Sequence, residues 1–381
     1  MSKRYLLAPG PTPVPPEVLL RMALPIIHHR APDFIPVFDS ARKRLKWLFQ
    51  TMNDVLILTS SGTGAMVASV NNFFNPGEKA LVINGGKFGQ RWVKICQAYG
   101  LQVKEIAVEW GNPVNPVEVE KELKADPSIK GVFVQAVETS TGVYHDIEAL
   151  GKILAGKDIL FIVDSISALV AHDLKTDKCG IDLMVGGSQK GLMLPPGLAF
   201  LAVSEKAWKK SEGARQPKFY FNLKKERESQ LKNQTNFTPA ISLIAGLDEA
   251  LSMLEKEGLP NVFARHERLA RATRSAVKAL GLDIFPKSSP ANSVTAINAP
   301  EGVDGQEIYK TLREKFGITA AGGQDKLKGK VFRIAHLGYA DTFDVITAIS
   351  GIEMTLKLLG HPVKLGAGVA AAEEVLLENI K

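Results

Sequence analysis

Short apolar runs alternate with amphipathic stretches over the first 240 residues of the chain. The runs are rich in β-branched residues and predict strands at 55–58, 80–83, 103–108, 131–135, 159–163, 183–185 and 199–203. The stretches between them have helical periodicity and predict helices at 39–50, 65–74, 89–99, 116–124 and 146–155, with Asp39 or Ser40 as a cap for the first. This alternation predicts an α/β fold with a mostly parallel, doubly wound sheet.

The pattern changes after about residue 240. Longer amphipathic stretches at 241–257, 261–280, 305–316 and 343–360 flank short strands near 293–297 and 331–335, which predicts a smaller α+β domain. Five prolines in the first 16 residues predict an extended arm. We therefore expect an arm at 1–20, a large domain at 21–255 and a small domain at 256–381. The Lys- and Arg-rich stretch 205–233 predicts a solvated surface segment, or else an oligomer or ligand contact.

Composition excludes several classes of protein. The 381 residues are 45% hydrophobic and carry a net charge of +7, which is ordinary for a soluble globular chain. That charge is weak support for nucleic-acid binding and fits anionic small molecules equally well. Cys96 and Cys179 lie far apart, so no metal or disulfide motif is indicated. No apolar stretch is long enough for a membrane helix and the proline-rich start is unlike a signal peptide, so we expect a cytoplasmic protein.

Two polar motifs follow predicted strands of the large domain. Residues 60–65 (SSGTGA) follow one strand and open a helix, which is suited to binding a phosphate or simply to making a turn and a cap. Val67 stands where a dinucleotide fingerprint needs glycine, so that kind of site is not indicated. Asp164 follows a buried strand, where open α/β sheets bind ligands, although a helix cap is the alternative.

Two cations complete the set. Lys190 lies in GGSQKG after another apolar run, where it is either an amine for Schiff-base chemistry or an exposed loop lysine. Arg333 lies in a predicted strand, where it either binds a carboxylate or makes a structural ion pair. Taken together, a phosphate site, a carboxylate, a lysine 26 residues later and a distant arginine are what pyridoxal 5'-phosphate chemistry on an amino acid requires.

Eight motifs in order resemble one family over almost the whole chain. They are LLAPGPTPVPP, SSGTGA, NGGKFGQR, ETSTGV, VDSISAL, GSQKGLMLPPGL, TPAISL and FRIAHLG. The sequence resembles the class V, fold-type I aminotransferases, and within them most of all the alanine–glyoxylate and serine–glyoxylate (serine–pyruvate) enzymes. Phe88 stands where well-known eukaryotic relatives have tryptophan, a change that preserves stacking.

The resemblance implies a role for each matching residue. Lys190 would be the Schiff-base lysine and proton shuttle, and Asp164 would pair with the pyridinium nitrogen. The cofactor phosphate would be bound by four residues, Ser61, Gly62, Thr63 and Gln189. Thr139 would approach the ring hydroxyl, and Phe88 and Ile166 would each cover one face of the ring. The substrate carboxylate would be bound by Arg333 and by the backbone at Gly10. In relatives, the segment equivalent to 234–238 contacts the cofactor phosphate bound in the partner subunit. The resemblance therefore implies a homodimer, in which Thr235 and Thr238 are candidates for that contact.

The implied reaction is a ping-pong transfer of an amino group from serine or alanine to glyoxylate or pyruvate. Alternatives are transfer to phosphonate or phosphoserine substrates, a lyase or cysteine desulfurase of the same class, and an accessory protein related to the small subunit of a soluble hydrogenase. A desulfurase needs a reactive cysteine late in the chain, where this sequence has none. The segment 28–30 (HHR) resembles a pattern of bacterial relatives and is either a surface loop or a substrate or subunit contact.

Overall fold

The computed structural model describes residues 3–378. Its strands are β1 (Tyr5–Leu6), β2 (Asp54–Thr59), β3 (Lys79–Asn84), β4 (Gln102–Ala107), β5 (Ile129–Gln135), β6 (Val137–Glu138), β7 (Val143–Tyr144), β8 (Leu160–Asp164), β9 (Leu183–Gly187), β10 (Leu198–Val203), β11 (Val294–Asn298), β12 (Ile318–Thr319), β13 (Ala321–Gly322) and β14 (Val331–Ala335). Its helices are α1 (Pro16–Ala23), α2 (Phe34–Leu48), α3 (Gly62–Asn71), α4 (Lys87–Ala98), α5 (Pro116–Ala125), α6 (Ile147–Leu154), α7 (Glu205–Ser211), α8 (Leu223–Gln230), α9 (Ile241–Glu257), α10 (Leu259–Ala279), α11 (Gly305–Phe316), α12 (Thr342–Leu358) and α13 (Ala367–Leu377).

Seven strands form the main sheet in the order β2-β10-β9-β8-β5-β3-β4. All neighbours are parallel except β10, which is antiparallel to both β2 and β9. The predicted mostly parallel sheet is confirmed, but its antiparallel strand was not predicted. The run LAFLAV is buried at every position, so its pattern carries no information on direction.

The sheet is buried on both faces. Alternate residues of β2 belong to two different apolar clusters, with Val55 and Ile57 in one and Leu56 and Leu58 in the other. Helices on both faces cover these clusters, as the doubly wound prediction requires. Strands β5, β8 and β9 are parallel neighbours, so their carboxyl ends lie at the same edge of the sheet.

The C-terminal part has its own sheet and core. Strands β11, β14 and β13 form an antiparallel sheet. Helices α10 to α13 pack with this sheet in a separate apolar cluster, which includes Phe332 of β14 and Ile349 of α12. The N-terminal arm joins this part, because β1 pairs in parallel with β12. The smaller α+β unit is confirmed, while the boundaries at residues 20 and 255 stay predictions.

Three local predictions differ from the structure. Helix α2 begins at Phe34, so Asp39 and Ser40 lie inside it and neither caps it; the buried Phe34 and Phe38 start its apolar face earlier than predicted. The stretch 205–233 was predicted as a solvated surface segment or a contact, with no helix, whereas it contains α7 and α8. Helix α13 was not predicted at all. None of the helices within residues 3–378 has the length and apolar character needed to cross a membrane.

Candidate active site

The N-terminus of α3 forms one wall of a recess at the strand ends. Ser61 is the N-cap residue, but its side chain makes no capping bond to the described backbone. The first N–H groups of the helix therefore remain available to an anion, which the helix dipole also favours. Gly62 lets Ile166 approach closely, since a Cβ here would lie 2.4 Å from Cδ1 of Ile166 and would force that side chain to move.

Lys190 lies three residues beyond the end of β9. Its Nζ donates a hydrogen bond to the carbonyl oxygen of Pro9 in the N-terminal arm. Gly10 has a φ of +132°, and a Cβ there would lie 2.1 Å from that Nζ, so only glycine fits. The Thr12 hydroxyl donates to the carbonyl oxygen of Lys190 at 2.9 Å, which fixes the arm against the lysine.

Burial lowers the pKa of Lys190 to about 8, and the nearby cations Arg333 and Arg91 act in the same direction while Asp164 opposes them. A lysine with a lowered pKa has a neutral, nucleophilic amine near physiological pH. This is the state that Schiff-base chemistry needs. The structure thus excludes the exposed loop lysine that the sequence left open.

Asp164 ends β8 and is buried. Its Oδ1 accepts the backbone N–H of Ile166 at 2.9 Å. Burial raises the pKa of Asp164 to about 6, against the effect of that hydrogen bond and of Arg91. The carboxylate is therefore ionised at neutral pH and able to pair with a protonated ring nitrogen.

One cavity of about 120 Å³ brings nine of the predicted residues together. They are Ser61, Gly62, Thr63, Phe88, Thr139, Asp164, Ile166, Gln189 and Lys190. Three further residues line it, namely Arg91, Val137 and Ser167. The Thr139 hydroxyl donates to the Ser167 hydroxyl at 2.7 Å, so these two side chains hold each other at the cavity wall.

Arg91 is a cavity residue whose position the sequence analysis did not predict. Its Nη1 donates to the Thr63 hydroxyl at 3.2 Å, and its guanidinium carbon lies 4.8 Å from the centroid of the Phe88 ring. Phe88 and Arg91 are three residues apart in α4 and so share a helix face. That spacing is the signal that could have placed Arg91 beside the aromatic ring.

Arg333 lies in the middle of β14 and is buried. Its Nε and Nη2 donate to the Gly322 carbonyl at 3.1 and 2.8 Å, and its Nη1 donates to the Thr139 carbonyl at 2.9 Å. A guanidinium has five N–H groups, so two are left without an acceptor among the described residues. Burial lowers the pKa of Arg333 to about 10, which still leaves the side chain charged. All of these bonds go to backbone carbonyls. The described contacts of Arg333 therefore contain no structural ion pair, which was the alternative to carboxylate binding.

Thr235 and Thr238 do not line this cavity. They border a separate pocket together with Tyr220 and Phe237, and the Thr235 hydroxyl donates to the Phe237 carbonyl at 2.7 Å. The Arg30 guanidinium donates to the Gln234 side chain at 2.9 Å, which connects the segment 28–30 to the same surface. Thr235 and Thr238 are expected to contact the site of the partner subunit, so that contact stays a prediction.

Comparison with known proteins agrees with this geometry. Residues 4–335 match the family described as Aminotransferase class-V. The chain is 45% identical to "Soluble hydrogenase, small subunit" of Synechococcus sp., over 98% of this chain and 99% of the relative. It is 38% identical to the serine–glyoxylate aminotransferase of Methylorubrum extorquens (99% and 97% covered) and 37% identical to the L-aspartate–glyoxylate aminotransferase of Paracoccus denitrificans (98% and 96% covered).

A solved structure shows the same architecture. The ureidoglycine–glyoxylate aminotransferase of Bacillus subtilis superimposes with a TM-score of 0.93 at 29% identity, covering 98% of both chains. Fold and site therefore define an α/β enzyme of the fold-type I class. The chain belongs to the class V aminotransferase family, and it is an aminotransferase.

Enzymes of this family generally depend on pyridoxal 5'-phosphate. The residues present fit that group. The open N–H groups of α3 suit its phosphate, and Gln189, whose amide N–H groups can donate to a phosphate, lines the same cavity. Phe88 and Ile166 offer apolar faces for a flat ring, Asp164 a carboxylate and Lys190 an amine. Within residues 3–378 no three His, Cys, Asp or Glu side chains are grouped to hold a metal ion.

Proposed function

We propose that this enzyme binds pyridoxal 5'-phosphate and transfers the amino group of a small neutral amino acid, serine or alanine, to glyoxylate or pyruvate. The observation that carries the proposal is the meeting of Lys190 and Asp164 in one cavity with the uncapped N-terminus of α3. These are the amine, the carboxylate and the anion site that the cofactor requires.

Each residue has a task in this reaction. When bound, the cofactor supplies an electron sink for the negative charge that develops at the substrate Cα. Ser61, Gly62 and Thr63 hold its phosphate, and Asp164 holds the proton on its ring nitrogen. Lys190 Nζ takes and moves the proton that leaves the substrate Cα. Phe88 and Ile166 keep water from the two ring faces.

The two free N–H groups of Arg333 are suited to the substrate α-carboxylate, which both donor and acceptor carry. Lys87 makes a 2.6 Å ion pair with Asp325, whereas Arg91 gives only one N–H group to the Thr63 hydroxyl and keeps its charge at the cavity. The choice of serine and alanine as donors therefore rests on the likeness to the serine–glyoxylate enzymes, and aspartate is the alternative donor that Arg91 would serve.

Both cysteines are buried, and burial raises the pKa of each thiol, that of Cys96 to about 12. A reactive thiolate needs a lowered pKa, so the desulfurase alternative receives no support from them. Free cysteines are compatible with a reducing cytoplasm, where we place the enzyme.

We also propose a homodimer. Large apolar side chains remain open on the isolated chain near the segments expected to meet a partner, with Leu20, Ile26 and Phe219 exposed by 69, 70 and 81%. Exposed apolar side chains grouped in the segments expected to face a partner favour burial against another chain. Analytical ultracentrifugation should give twice the chain mass, and a monomer at micromolar concentration would contradict this part of the proposal.

An absorption spectrum tests the cofactor assignment. We expect the purified protein, supplied with pyridoxal 5'-phosphate, to show a visible band that Lys190→Ala removes. Lys206→Ala is the matched control, since Lys206 also donates to a backbone carbonyl, that of Ile159 at 2.6 Å, but lies outside the cavity. A wild-type protein that stays colourless would overturn the assignment and would favour an accessory role like that in the Synechococcus relative's name.

A further inference from the structure

A buried carboxylate beside the cavity has no task in the reaction described above. Glu138 ends β6 and has no exposed surface. Its Oε2 accepts the backbone N–H groups of Phe88 at 3.1 Å and Gly89 at 3.0 Å. Its Oε1 accepts the backbone N–H of Ser140 at 3.2 Å and also the Ser140 hydroxyl. Because every one of these partners donates, the arrangement is that of an ionised carboxylate.

These bonds close the N-terminus of α4. Gly86 is the N-cap residue and has no side chain to offer, so Glu138 accepts the N–H groups of the first turn in its place. A Cβ at Gly86 would lie 2.4 Å from Cδ of Glu138, which explains the glycine. The Ser140 hydroxyl accepts the Lys87 N–H at 3.0 Å and completes the cap. The place of Phe88 at the cavity therefore depends on Glu138.

The same short segment connects the cavity with Arg333, which does not line the cavity itself. The carbonyl of Thr139, the next residue, accepts Arg333 Nη1 at 2.9 Å. The charge of Glu138 raises the pKa of both Arg333 and Asp164. Burial raises the pKa of Glu138 itself, and its four donors oppose that rise. One buried charge is thus coupled to the ring-facing Phe88, to Asp164 and to Arg333.

We propose that Glu138 is a positioning residue: its side chain fixes Phe88 against the cofactor ring and, through the neighbouring Thr139 carbonyl, holds Arg333 in place for the substrate carboxylate. This inference rests on the function proposed above, because it assigns Phe88 and Arg333 their tasks in that reaction. Glu138 itself is not expected to touch the substrate or the reacting atoms, since its side chain has no exposed surface and both of its oxygens already accept hydrogen bonds from the chain.

The chain contains a matched control for this role. Glu353 in α12 is 3% exposed and accepts the backbone N–H groups of Gly366, Gly368 and Val369 at 2.7, 2.8 and 3.1 Å. It closes the N-terminus of α13, whose N-cap residue is again a glycine, and it does not line the cavity. Glu353→Gln therefore measures how much stability is lost when such a carboxylate is removed from a helix N-terminus that has no part in the cavity.

The experiment compares wild type, Glu138→Gln and Glu353→Gln. The thermal midpoint is measured for each protein, with the dissociation constant of pyridoxal 5'-phosphate from absorbance titration and the KM and kcat for L-serine. We expect both variants to unfold at lower temperature. Only Glu138→Gln should raise the cofactor dissociation constant and the serine KM, each by about tenfold, since hydrogen bonds to charged groups are lost.

A Glu138→Gln protein that unfolds earlier but keeps wild-type constants would show that Glu138 is structural only. If that variant does not fold, Ser140→Ala replaces it, because this change removes one donor to Glu138 and the acceptor of the Lys87 N–H. A smaller rise in the same two constants is then expected, and unchanged constants would overturn the inference. Wild-type protein that binds no cofactor would instead refute the proposed function.

Discussion

Replacing Lys190 with methionine should stabilise the cofactor-free protein at neutral pH. Burial holds the pKa of Lys190 at about 8 instead of its ordinary 10.5. Each unit of that difference costs about 1.4 kcal/mol when the amine is charged, so the charged lysine destabilises the fold by about 3 kcal/mol at pH 7. The lost bond to the Pro9 carbonyl costs about 1 kcal/mol, which leaves a net gain of about 2 kcal/mol.

The stability gained by Lys190→Met should depend on pH. The destabilisation is complete below the folded-state pKa of about 8 and disappears as the pH rises to 10.5, where the unfolded chain also loses the proton. The gain of Lys190→Met should therefore be largest at pH 7 and shrink by pH 10.

Urea unfolding of the two cofactor-free proteins at both pH values measures this gain directly. Lys206→Met is the control, because Lys206 is bonded to both Ile159 and Asp182 and its loss should destabilise the protein. The reasoning is refuted if Lys190→Met is no more stable than wild type at pH 7, or if its gain is the same at both pH values.

Three further variants test other parts of the site. Arg333→Ala should raise the KM for L-serine about 100-fold while cofactor affinity stays near wild type, since it removes the carboxylate contact; an unchanged KM would disprove that contact. The cofactor affinity of wild type should fall below pH 6, where Asp164 gains a proton, and equilibrium titrations of Asp164→Asn should lack this step. Gly10→Ala should lower kcat about 100-fold with the circular dichroism spectrum retained, because its Cβ displaces Lys190 Nζ; wild-type kcat would show that the arm is not constrained there.

Most of the fold was predictable because its elements have strong local signals. Strands such as β2 and β8 contain unbroken apolar runs, VLIL and LFIV, and helices such as α4 have a clear apolar stripe. The antiparallel direction of β10 could not be predicted from its residues. The strand is buried on both faces, so its apolar pattern is the same for a parallel and an antiparallel strand. Its connection to β9 spans ten residues, which is short for a helical crossover and was the available hint.

The candidate site was predictable where a polar residue lies at the end of a strand or shortly after it. Asp164 is the last residue of β8 and Lys190 lies three residues beyond β9, and the resemblance in the eight motifs implied their roles. The spacing of Arg91 from Phe88 in α4 could have placed it beside the ring, but its bond to Thr63 spans 28 positions and leaves no local pattern. Glu138 was not assigned because its contacts join distant segments, such as its bond from Gly89 across 49 positions.

The central claim is that the chain carries out amino transfer in two separable halves. The direct test mixes the cofactor-loaded enzyme with L-serine, L-alanine or L-aspartate in the absence of any 2-oxo acid acceptor, and quantifies the 2-oxo acid released. We predict close to one equivalent per subunit from serine or alanine, less or none from aspartate, and continued turnover once glyoxylate or pyruvate is added. Cofactor-loaded enzyme that releases no 2-oxo acid from serine or alanine would contradict the account.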